Sequence, residues 1–172
     1  MNIHTSRITT SESAPVYFSV SKQKLTVLSL CSLGLYEVYW FYKNWDLVRH
    51  RTGQEISPFW RAIFAPLFCY SLFKSVKQST DSHGIPSEIS PGWLAFAYIA
   101  ITITWRLPDP VWLVSLFTFL PLLAVQGVIN SINLKNAPTA DLNDHYTGKN
   151  VAVIVFGGLL LLLGILGTVV PE

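Results

Sequence analysis

Residues 151–170 read Val151-Ala152-Val153-Ile154-Val155-Phe156-Gly157-Gly158-Leu159-Leu160-Leu161-Leu162-Leu163-Gly164-Ile165-Leu166-Gly167-Thr168-Val169-Val170, twenty consecutive positions without a charged side chain. At 1.5 Å of rise per residue such a helix is about 30 Å long, the thickness of a bilayer's hydrocarbon core. The stretch reads as a transmembrane helix, and the fold class it implies is an all-α, polytopic integral membrane protein. Its four glycines would weaken a helix in water, but in lipid small residues let helices approach closely. Gly157, Gly164 and Thr168 fall on one face, at spacings of seven and four. A helix–helix seam and plain tolerance of glycine in lipid are both open at this point.

Four more apolar runs precede it. Val111–Ile129 contains Pro121, which lacks a backbone donor and predicts a kink. Gly92–Leu107 is joined to it by Pro108-Asp109-Pro110, a rigid turn that folds the two runs into an antiparallel hairpin. These two and the last run are expected to cross the bilayer. Leu25–Tyr42 carries Gly34 near its centre and Glu37 near its end, and flows on to Gly53, the first plausible stop. Phe59–Phe73 is short and holds Arg61 and Pro66. Neither is a comfortable span, so both are read as further apolar segments, re-entrant, interfacial or crossing. Residues 1–20 read as a polar N-terminal tail, mobile up to about Pro15, and 21–172 as a single helical membrane domain.

Composition agrees. Of 172 residues, 51% are hydrophobic and only 13% charged, against roughly 25% charged in a soluble domain. Ten glycines, ten prolines and two cysteines exclude collagen, disorder and a disulfide scaffold. A net charge of +2, with basic residues scattered singly or in small groups, argues against a nucleic-acid partner. No apolar stretch in the first twenty residues resembles a secretory signal. Cys31 and Cys69 sit in separate apolar runs and read as packing residues.

All six tryptophans, Trp40, Trp45, Trp60, Trp93, Trp105 and Trp112, lie at or near run ends, where an apolar ring with one polar N–H suits the headgroup layer. Glu55-Ile56-Ser57-Pro58-Phe59-Trp60 is echoed by Glu88-Ile89-Ser90-Pro91-Gly92-Trp93. Serine at the N-cap and proline at the first helical position mark the start of a helix in both copies.

Cytoplasmic loops collect Lys and Arg. With five crossings the twelve basic residues divide seven against five; with the first two runs returning to their own side, Arg106 alone stands against eleven. The second arrangement is preferred, and both place the N-terminus in the cytoplasm.

Glu37 and Arg61 are the ionised residues inside the apolar runs, and pairing them would offset the cost of burying either. Gln126, Asn130 and Asn133 share a helix face at i, i+4 and i+7, as bundle glue or the lining of a polar path. Trp40, Lys43, Trp45, Arg49 and Arg51 form a basic-aromatic stretch suited to anionic lipid or a partner. No nucleophile–base set, phosphate-cradling glycine loop or metal-ligand spacing is legible, and the four histidines fall in connecting segments. The expectation is no catalytic residue, no metal and no cofactor.

At Gly34-Leu35-Tyr36-Glu37-Val38-Tyr39-Trp40-Phe41-Tyr42-Lys43-Asn44-Trp45, at 125–133 and at Tyr146-Thr147-Gly148-Lys149-Asn150, the chain resembles a family of small bacterial multi-pass membrane proteins without a known activity. The resemblance covers most of residues 16–170. It implies a bacterial inner-membrane setting and no particular chemistry. The expected function is a non-enzymatic, membrane-embedded assembly or accessory protein, with the lipid bilayer and a homo-oligomer or larger membrane protein as partners. The alternative is a small oligomeric transporter or channel using Glu37, Arg61 and the Gln126, Asn130, Asn133 stripe.

Overall fold

The computed structural model describes residues 14–169, which contain helices and connections but no strand. Seven α-helices follow in order among them: α1 (Lys22–Cys31), α2 (Leu35–Thr52), α3 (Pro58–Ile63), α4 (Ala65–Ser82), α5 (Pro91–Ile103), α6 (Phe119–Asn136) and α7 (Gly148–Val169). Short 3-10 turns, Thr104–Arg106 and Val111–Phe117, extend α5 and lead into α6.

The first apolar run is broken at the glycine near its centre. Leu33 and Gly34 both take positive φ, 52° and 87°. Glycine bears this without strain and so ends α1 and starts α2 in the opposite direction. Gly53, at φ 66°, then stops α2, whose last turn carries Arg49, His50 and Arg51 against the negative end of the helix dipole. The two serine–proline signals start α3 and α5 at Pro58 and Pro91, with Ser57 and Ser90 at the N-caps, although neither hydroxyl makes a capping bond.

Two prolines stand in first turns, and only Pro121 departs from expectation. Pro121 does not kink a long helix. The chain runs as a 3-10 turn to Phe117 and becomes α-helical only at Phe119, so Pro121 sits in a first turn, where no intrahelical donor is missed. Pro66 likewise lies in the first turn of α4, and the break falls just before it at Phe64.

Contacts fix the direction of each element. Glu37 meets Thr118 and Trp40 meets Gln126, so α2 runs parallel to α6. Arg51, at the end of α2, returns to Val16 and Tyr17, just before α1. Tyr17 also meets Ser79 near the end of α4, and Lys135 at the end of α6 meets the His83 carbonyl. The α1/α2 and α3/α4 pairs therefore open toward the same end of the bundle. The Arg106–Pro110 turn lies at the opposite end.

Among the described residues, two helical stretches are long and apolar enough to cross a membrane: Val111–Asn136, with mean hydropathy 2.0, and Gly148–Thr168, with 2.6. Three were expected. The shortfall is α5, only thirteen residues long before its 3-10 turn.

The core gathers around Phe41, whose ring lies 5.1 Å from Trp40, 5.4 Å from Tyr98 and 6.3 Å from Phe73. Trp40 and Trp45 are fully enclosed there, so the expectation that all six tryptophans mark an interface fails for these two. Trp60, Trp93 and Trp105 are exposed as expected. Among the described helices α7 packs chiefly on α1, and Gly157 allows it: a Cβ there would stand 1.7 Å from the Cys31 carbonyl oxygen. Gly164 faces Trp112 at ordinary distance. Gly157 and Gly164 thus line contacts of α7 with its neighbours, and the seam reading holds at Gly157.

Candidate functional site

Among the described residues, the amide stripe of α6 meets another helix only at Gln126, which bonds to Trp40 of α2. It holds a piece of the chain's own N-terminal region. Val16-Tyr17-Phe18-Ser19-Val20 runs outside any helix, and its backbone has no intrahelical partners. A buried backbone must find them elsewhere. Here, side chains supply them.

Asn133 accepts at Oδ1 from the N–H groups of Val16 (3.0 Å) and Tyr17 (3.1 Å). Its Nδ2 donates to the Tyr17 carbonyl at 2.8 Å and to Ser19 Oγ at 2.9 Å. Gln126 Nε2 donates to the Phe18 carbonyl (3.1 Å) and to Asn130 Oδ1 (2.7 Å), while Asn130 Nδ2 donates to the Val20 carbonyl (3.0 Å). From α2, Asn44 Oδ1 accepts from the Phe18 N–H (3.1 Å) and Arg51 Nη1 donates to the Val16 carbonyl (2.9 Å). Asn143 Nδ2 donates to the Ser19 carbonyl at 3.3 Å. Every carbonyl from Val16 to Val20 therefore accepts a side-chain N–H, much as a strand would from a neighbour in a sheet. Gln126 is held in turn by the Trp40 indole, whose Nε1 donates to Oε1 at 2.6 Å.

Tyr17 and Val20 are fully buried. The expected polar tail 1–20 is thus too long: Val16–Val20 belongs to the helical domain, while residues 1–13 lie outside the described residues. Local sequence carried a signal. Four of these five residues are β-branched or aromatic, a pattern that favours extended backbone. Asn44 and Asn143 carried none, because a lone asparagine does not announce a partner 26 or 124 residues away in sequence.

Glu37 and Arg61 do not pair. Thr118 Oγ1 donates to Glu37 Oε1 at 2.8 Å, and Tyr98 also faces the carboxylate. Thr102 and Ser115 complete the hydroxyl lining of the 260 Å³ cavity beside it. The Arg61 guanidinium lies 4.4 Å over the Trp45 ring and 5.3 Å from that of Phe68. An aromatic face attracts a cation without a counter-charge, and the kink at Phe64 keeps Arg61 on the α2 face of α3. Glu37→Gln keeps an acceptor for Thr118 and removes the need to bury a charge. We expect it not to lower the unfolding temperature in detergent; a clear drop would show that the ionised form is structurally required.

The basic-aromatic stretch also divides. Trp40 and Trp45 are core, Arg49 is paired to Asp46 at 3.0 Å, and Arg51 is spent on Val16 and Tyr17, its guanidinium 4.5 Å over the Tyr17 ring. Lys43, midway along α2, and Arg49, near its end, remain half-exposed cations. A continuous lipid-facing patch of these five residues is therefore corrected: a helix shows any one neighbour about a third of its residues, and here that third faces inward.

Comparison with known proteins returns no matching family model, no similar curated protein and no similar solved structure.

Proposed function

We propose that the chain is a multi-pass protein of the bacterial inner membrane with a cytoplasmic N-terminus, acting as a non-enzymatic assembly or accessory subunit. In this reading α5, α6 and α7 cross, while α1/α2 and α3/α4 enter from the cytoplasmic side and return to it. The uneven distribution of basic residues supports it: among the described residues Arg106 sits at one end, while Lys22, Lys24, Arg49, Arg51, Lys77, Lys135 and Lys149 lie toward the end where both hairpins open. With its 3-10 turn, α5 spans about 25 Å. A span this short is accommodated by local thinning of the bilayer, and exposed Trp93 and Trp105 stand at its two ends.

One observation carries the assembly role. Only 6% of the apolar window of α7 is buried within the chain, against 39% for the Val111–Asn136 stretch. Phe156, Leu159, Leu162, Leu163 and Leu166 all face outward. Such a helix adds little to its own bundle and presents most of its perimeter to lipid or to another helix.

Cysteine labelling tests the topology. Probes at Ser57, Ser82 and Thr139 are expected to react from the cytoplasmic side and a probe at Asp109 only from the other. A Ser57 probe that reacts from outside would establish five crossings instead. For assembly, Leu162→Cys is expected to give crosslinked species larger than the single chain in native membranes, and a strictly monomeric result removes the role assigned to α7.

The transporter reading keeps one specific support, the Glu37 cavity. It has lost the stripe, since Gln126, Asn130 and Asn133 are committed to the N-terminal segment. Solute flux in proteoliposomes that disappears in Glu37→Gln would restore it.

A further inference from the structure

A trough of 600 Å³ lies between the α1/α2 hairpin and α7, walled by Leu28, Cys31, Leu35, Val153, Phe156 and Leu160. Next to it is a polar recess of 420 Å³ that includes Lys24, Asn143, Thr147 and Lys149. Tyr36, Tyr39 and Asn150 line both, so the two are continuous. Each has the size of a small-molecule site, roughly 300–1,000 Å³, but their chemistry is opposite.

The order along the bundle is fixed. Lys24 Nζ donates to Asn143 Oδ1 at 2.8 Å and to the His145 carbonyl at 2.7 Å, which sets it level with the connection before α7. Cys31 is level with Gly157, about 14 Å further along α7 at 1.5 Å per residue. The polar end therefore sits at the mouth of the bundle and the apolar end at depth. Tyr36 and Tyr39 occupy the boundary, where an aromatic body with a polar tip is at home.

We propose that this composite site holds one phospholipid of the cytoplasmic leaflet, with its phosphate at Lys149 and an acyl chain in the trough. The proposal rests on the membrane reading above and names a ligand for it. Charge complementarity selects the occupant. Lys149 is exposed in the first turn of a 22-residue helix, where the dipole favours an anion. Beneath the recess, Lys24 is 2% exposed and bonded only to neutral oxygens, so no directly bonded carboxylate cancels its charge. Asp141 and Asp144 act on Lys24 at longer range, and neither bonds it. An acyl chain without an anionic head would leave Lys149 unanswered, and a free phosphate would leave the trough empty.

The test is native mass spectrometry of the full chain released from phosphatidylglycerol nanodiscs, counting retained lipid. One lipid per chain is expected to survive activation. Lys149→Gln, on an exposed side chain that supports no packing, is expected to weaken retention about tenfold, the value of one charge-assisted hydrogen bond. Val153→Trp, which fills the trough and leaves the recess intact, is expected to abolish retention. Lys135→Gln, at the same end of the bundle but outside the site, is expected to leave it unchanged. Inorganic phosphate that displaces the lipid would reduce the site to an ion-binding recess and overturn the proposal. Retention unaffected by both site variants would overturn it as well. Failure of the membrane reading is seen separately: a chain stripped from vesicles by alkaline carbonate never had a leaflet to bind, whereas one that resists carbonate and retains no lipid refutes this site alone.

Discussion

Asn133→Leu, at a buried position of α6, is expected to be among the most destabilising single changes in the chain. The leucine removes four hydrogen bonds at once and leaves the N–H groups of Val16 and Tyr17 and the Tyr17 carbonyl without partners. Each unsatisfied buried group costs about 1–3 kcal/mol, so the three together are expected to cost at least about 3 kcal/mol. In a chain of this size that is about 10 °C in unfolding temperature, read in mild detergent. Ser131→Ala is the control, because its hydroxyl only bonds back to the Gly127 carbonyl on an exposed face, and a shift within about 0.5 kcal/mol is expected. Loss of the clamp also frees Tyr17 and Phe18, so chymotrypsin is expected to cut there quickly in the variant and slowly in the parent. Equal melting of the two variants would mean the segment is held by packing of Tyr17 and Val20 alone.

The second large effect is at Gly157. Even alanine places a methyl 1.7 Å from the Cys31 carbonyl oxygen, a distance no rotamer change relieves. The helices must part. Because α7 leans on little else, the expected outcome is detachment of α7 while the remaining bundle stays folded. A reporter exists in the sequence itself: a Cβ at Gly158 lies 4.0 Å from Cys31 Sγ, close to disulfide geometry. Gly158→Cys is expected to crosslink to Cys31 under mild oxidation, and adding Gly157→Leu is expected to abolish the crosslink. Gly167→Leu, with open space around it, is expected to preserve it. A crosslink that survives Gly157→Leu would mean α1 and α7 do not meet at this glycine.

What the chain reveals in one dimension is its punctuation. Gly34, Gly53, Ser57-Pro58 and Ser90-Pro91 each mark a helix end where they stand, because a positive φ or a missing N–H acts on the residue that carries it. The stripe of Gln126, Asn130 and Asn133 was equally visible, since it follows from helical spacing. Its partner was not. A side-chain amide bonds to a strand, a loop or a helix equally well, and nothing in residues 16–20 names α6. The Glu37–Arg61 pairing failed for a related reason: opposite charge suggested it, but the hydroxyls of Thr118 and Tyr98 and the ring of Trp45 were nearer and sufficient. The tryptophans show the same limit. Position near a run end predicts an interface only when the helix turns that face outward, as at Trp93 and not at Trp40.

The buried segment Val16–Val20 also imposes an order on biogenesis. It leaves the ribosome before every helix that encloses it, and the Phe18 carbonyl must wait 108 residues for Gln126. At about 5–20 residues per second that is a delay of about 5–20 s, during which its polar backbone needs water. The first part of the domain to be synthesised is therefore among the last to be seated, after α6 has been delivered beside α2.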